Sequence, residues 1–148
     1  MSLKDWLKNG WLVEHKTSPR EIADLLGMVD RDLADSETPG LSPDWRLNIA
    51  YNAALQAATA ALAASGYRTV RESHHYRAIQ SLAYTIGTDR KLIAQFDRFR
   101  KKRNIGEYER AGVVSDQEAA EMVTLARGLL SDVETWLRLN HPKLLTDV

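Results

Sequence analysis

Apolar residues recur at three- and four-residue intervals along almost the whole chain, the spacing that lines one face of an α-helix. Leu3, Leu7 and Trp11 predict a short amphipathic helix from Ser2 to about Trp11. Ser18-Pro19-Arg20-Glu21 reads as an N-cap, a proline at the first helical position and a capping-box glutamate. The stripe that follows is Ile22, Leu25, Leu26, Val29 and Leu33, and Pro39-Gly40 marks a turn within Ser36 to Leu41. Ser42-Pro43-Asp44 opens a third helix that runs through the alanine-rich stretch Ala50 to Ala64 and stops at Ser65-Gly66. Small side chains on a long helix let neighbouring backbones come close. With Tyr51, Leu55 and Leu62 among the alanines, this segment reads as the central helix of a bundle.

A loop carrying Arg68, Arg71 and Ser73 leads to His74-His75 and a helix with Ile79, Leu82, Ala83 and Ile86 on one face. Gly87-Thr88-Asp89 restarts the chain into a fifth helix, Asp89 to Tyr108, and Ala111-Gly112 closes that region. Ser115-Asp116-Gln117-Glu118 is a second capping box, followed by the stripe Ala119, Met122, Ala126, Leu129, Val133 and Leu137 with Trp136 beside it. Beyond Asn140 and Pro142 a frayed tail is expected. Strand signals are nearly absent. The fold class expected is all-α: an antiparallel up-down bundle of about four long helices, plus short N-terminal and connecting helices, in one domain over residues 1–148.

Composition narrows the chemistry. Apolar residues at 44% and charged residues at 27% are ordinary globular values. The chain has no cysteine, which excludes disulfides, thiolate metal sites and a catalytic thiol. No histidine and carboxylate set has metal-ligand spacing, and no glycine-rich phosphate loop or nucleophile elbow appears, so no metal and no cofactor are expected. No apolar run approaches the ~20 residues that span a bilayer. The N-terminus does not read as a secretory signal, so no membrane partner and a cytoplasmic location are expected.

Net charge is zero, but its distribution is uneven. Residues 21 to 37 are acidic, whereas Arg98-Phe99-Arg100-Lys101-Lys102-Arg103 is a basic cluster. Advancing about 100° per residue from Leu92, Phe96 and Phe99 continue the apolar stripe of the fifth helix and Arg103 takes its next position. A cation on a buried face is costly unless it is paired or the face opens onto a cavity or partner. Asn104 and Tyr108 lie one turn apart on an adjoining flank, so Arg103, Asn104 and Tyr108 can border one site. Arg98, Arg100, Lys101 and Lys102 then read as a phosphate-binding patch beside it, or as a solvated helix end favoured by the macrodipole, the commoner origin of such runs.

The run Arg103-Asn104-Ile105-Gly106-Glu107-Tyr108, with the alanine-rich helix Ile49 to Leu62 ending at Gly66, resembles the HEPN superfamily, most strongly over residues 42–138. In that family an arginine is followed after four to six residues by a histidine, and the two commonly line an RNA-cleaving site at a dimer interface. The resemblance implies a homodimer acting on RNA or nucleotides, with many members being toxins paired with a nucleotidyltransferase antitoxin and others non-catalytic. It assigns Arg103 to charge stabilisation of the phosphate. Tyr108 stands in the histidine's place. A phenol of pKa about 10 is a poor general base at neutral pH, though it can hydrogen-bond a phosphate or stack on a base. His74 and His75 are auxiliary candidates for the imidazole, provided that the fourth helix starts beside the fifth. Three readings follow from the sequence: a metal-independent endoribonuclease, a non-catalytic HEPN binding module, and a helical interaction protein in which Arg103 is structural.

Overall fold

The computed structural model describes residues 1–71, 74–108 and 113–146, the side chains of 104–108 excepted. Among the described residues the chain is mostly helical: α1 (Leu3–Lys8), α2 (Pro19–Ser36), α3 (Pro43–Ala64), α4 (His74–Gln80), α5 (Arg90–Tyr108) and α6 (Asp116–Asn140). Two short strands, β1 (Leu12–Glu14) and β2 (Tyr67–Thr69), pair antiparallel with Leu12 opposite Thr69 and Glu14 opposite Tyr67. No described helix is long and apolar enough to cross a membrane.

The caps explain where the helices begin. Ser18, Ser42 and Ser115 each accept a hydrogen bond from the backbone N–H three residues on, with proline in the first turn of α2 and of α3. At Ser115 the box is reciprocal, since the Glu118 carboxylate accepts from the Ser115 N–H at 3.1 Å. At Ser18 it is not. Glu21 instead accepts from the Thr17 hydroxyl at 2.6 Å and meets His15 Nε2 at 2.7 Å.

Helix α3 is the centre of the structure. Its alanines at 53, 54, 57, 58, 60 and 61 are all fully enclosed, which places buried surface on every side of the helix rather than on one stripe. It packs most extensively against α2 and α6, and also meets α4, α5 and β2. Methyl-sized side chains let those neighbours approach. Larger residues then fill the gaps from outside: Ile22 and Val29 from α2, Phe96 and Phe99 from α5, Met122 and Leu129 from α6. One buried carboxylate sits within this packing, where Asp32 of α2 accepts a 2.8 Å hydrogen bond from Asn52 of α3.

Several boundaries differ from those the sequence pattern predicts. Helix α1 ends at Lys8, and Trp11 packs from beyond it onto Trp6, Leu12 and Leu62. Gly66, at φ 98, turns the chain after α3 into β2, and its carbonyl accepts from the His15 N–H. The resulting ribbon has three-residue strands, too short to leave an alternating pattern, and its partners come from distant parts of the chain. Helix α4 stops at Gln80 and tightens into a 3₁₀ turn at Ser81–Ala83, with the buried Ser81 hydroxyl donating to the Ala78 carbonyl. Ile86 therefore lies beyond the helix. The described part of the tail is not frayed: Pro142–Leu145 forms a 3₁₀ turn against α2 and α6, and Leu144 packs on the core.

Candidate functional site

Helix α5 carries its apolar stripe as the spacing requires, with Ile93, Phe96 and Phe99 buried against the core. Arg103 comes next on that face and is half-buried. Its Nε donates a 2.5 Å hydrogen bond to Asn48 Oδ1 of α3, and its guanidinium carbon lies 5.8 Å from the centroid of the Tyr51 ring. Asn48 and Tyr51 are one turn apart on α3, so a single helix face presents an amide acceptor and an aromatic face to the same cation. The inward arginine is thus accommodated by polar and π contacts rather than by hydrocarbon.

Tyr51 also meets α4. Its ring centroid is 6.2 Å from that of His75, which in turn stands edge-on to His74 at 5.8 Å. Helix α4 packs against α5. The two imidazoles have different partners: His75 meets Tyr51, and His74 meets the Thr69 hydroxyl, 2.5 Å from Nδ1. Burial lowers the His74 pKa below the ordinary imidazole range. Burial also pushes the Tyr51 phenol well above its usual range, with Arg100 and Arg103 drawing it partly back. Its hydroxyl is buried without a hydrogen-bond partner among the described residues. Tyr51 therefore stays protonated and serves as a ring, not as a base.

The basic cluster is extensively paired within the chain. Arg98 meets Glu121 at 3.3 Å, Arg100 meets Asp97 at 2.8 Å, Lys101 meets Asp97 at 3.5 Å and Lys102 meets Glu118 at 3.2 Å. Arg100 in addition lies 5.4 Å from the ring centroid of the exposed Tyr76. These cations form a surface ion-pair network with α6 and with their own helix, so a phosphate would have to compete with three carboxylates for them. The side chains of Asn104 and Tyr108 lie outside the described residues. Among the described residues no group of three His, Asp or Glu side chains is placed to hold a metal ion.

The structure thus brings together Arg103 and His75, which the sequence singles out, with Asn48 and Tyr51, which it does not. A polar residue one turn before an aromatic, on a helix otherwise filled with alanine, is the sequence signal for that pair. Tyr51 reads there as packing alone. Compared with family models, with curated proteins and with solved structures, the chain shows no match.

Proposed function

We propose that this chain is a HEPN-type protein that binds RNA or nucleotides through Arg103. The observation that carries the reading is the shared ring: a half-buried guanidinium and an imidazole both stand against Tyr51. Metal-independent cleavage of a phosphodiester needs a positive charge beside the phosphate and a group that can move a proton. Arg103 supplies the first, with Asn104 and Tyr108 as its neighbours on α5. His75 supplies the imidazole that the Arg103–Tyr108 run lacks. In this reading the four long helices form an antiparallel up-down bundle. The protein is a cytoplasmic homodimer with its sites at the two-fold interface, and it acts as the toxin of a pair with a nucleotidyltransferase antitoxin.

A non-catalytic binding module is the second reading. The pairing of Arg98, Arg100, Lys101 and Lys102 with carboxylates of the same chain favours it, because a nuclease cleft would keep such cations available.

One experiment separates the two. Purified protein is incubated with RNA in the presence of a chelator, as wild type, Arg103→Ala and His75→Ala. Cleavage that both substitutions abolish supports the endoribonuclease. Binding without cleavage, weakened about tenfold or more by Arg103→Ala as expected for a lost charge-assisted phosphate contact, supports the binding module. Equal binding by wild type and Arg103→Ala would remove Arg103 from both.

A further inference from the structure

A second concave feature lies where β2 gives way to α4. It is a cleft of ≈ 530 Å³, walled by Arg68, Thr69, Arg71, His74 and His75 over an apolar floor that includes Leu62. That volume suits a mononucleotide-sized ligand. Among the described residues no carboxylate lines it. Arg68 and Arg71 are exposed, and among the described residues neither side chain takes part in an ion pair or hydrogen bond, in contrast to Arg98, Arg100, Lys101 and Lys102 of α5. Among the described residues, two guanidinium groups and two imidazoles thus line one hollow; Glu72, between Arg71 and His74 in the chain, lies outside them.

Guanidinium groups recognise phosphate oxygens through paired N–H donors, and an imidazole can add a further donor. The Thr69 hydroxyl fixes the His74 ring through Nδ1, leaving Nε2 as that ring's other polar atom. Leu62 gives the floor an apolar surface on which a nucleoside could rest. We propose that this cleft is an anion pocket for a phosphomonoester, gripped by Arg68 and Arg71 and completed by His74 and His75. It is distinct from the Arg103 site, although His75 borders both, and it does not depend on the HEPN reading.

The test uses the full chain and two probes, inorganic phosphate and adenosine monophosphate, followed through the imidazole proton signals in NMR titrations. Both arginines are exposed, so Arg68→Gln/Arg71→Gln keeps the fold, and Arg90→Gln on α5 serves as the control for general charge loss. Saturable shifts of the His74 and His75 signals are expected with both probes, weakened about tenfold or more in the double variant and unchanged in the control. Tighter binding of the nucleotide than of phosphate would show that the apolar floor takes the nucleoside, and equal binding that the phosphate group alone is read. Shifts that do not saturate, or that are the same in the double variant as in wild type, overturn the proposal. Arg103→Ala is expected to keep the phosphate titration, so loss of RNA binding in that variant leaves the cleft standing.

Discussion

The guanidinium of Arg103 lies 5.8 Å from the centre of the Tyr51 ring, so a cation late in α5 is capped by an aromatic residue of the central helix α3. Asn48, one turn earlier on α3, accepts from the same guanidinium. The amide oxygen and the π face together fix where this half-buried guanidinium sits.

Structural and functional roles of Arg103 can be separated by two substitutions. Arg103→Ala is expected to cost about 1–2 kcal/mol, through the lost cation–π contact and the lost hydrogen bond. Arg103→Met, which refills the space over Tyr51 with hydrocarbon, should regain most of that stability but not RNA binding. Urea denaturation and an RNA-binding assay on both variants check this; recovery of binding by the methionine variant would make the charge irrelevant.

Tyr51→Phe removes a buried hydroxyl that has no partner among the described residues. Stability should be unchanged or rise by up to about 1 kcal/mol, since the desolvation cost of the hydroxyl disappears. RNA binding should persist because the ring remains. Tyr51→Ala should instead cost about 3–5 kcal/mol by opening a cavity beside α4 and α5. A phenylalanine variant that loses more than the alanine variant would show that the hydroxyl has a role the packing does not account for.

His74 makes stability depend on pH in one direction. The unfolded chain protonates this residue around pH 6.5, whereas burial holds the folded imidazole neutral to lower pH. Between those two points the unfolded state binds more protons, so stability is greatest above the unfolded value and declines as the pH falls towards the folded one. Glu118 acts in the same sense at lower pH, its carboxylate held below the usual range first by the Ser115 backbone N–H. Urea midpoints recorded from about pH 7.5 down to about pH 5.5 should fall, and less steeply in His74→Gln. The same slope in both proteins would clear His74 of any part in it.

Arg77 pins the N-terminal segment to α4. Its guanidinium carbon lies 3.7 Å from the Trp11 ring centroid and 5.5 Å from that of Trp6, and Trp6 stacks edge-on against Trp11 and Tyr84. Arg77→Ala should cost about 1–2 kcal/mol, from lost packing as well as lost charge. Arg77→Lys should recover only part, because a compact ammonium does not stack as a planar guanidinium does. Hydrogen exchange of the amides in α1 and β1 should accelerate in both variants; protection equal to wild type would sink the idea.

The helices were legible because each depends on local rules. Serine caps, prolines in first turns and the apolar stripes of α2, α5 and α6 lie within a few residues of what they specify. The central place of α3 was legible too, from alanines interrupted by Tyr51, Leu55 and Leu62. The sequence by itself also placed Arg103 on the face of α5 that Phe96 and Phe99 bury, since helical period fixes direction. Tertiary structure decided the rest. The β1–β2 ribbon, the partners Asn48 and Tyr51 of Arg103, the approach of His75 and the cleft between Arg68 and Arg71 all join residues through the packing of separate elements. Contacts of that kind leave no periodicity in the chain, because what brings them together is the burial of other residues.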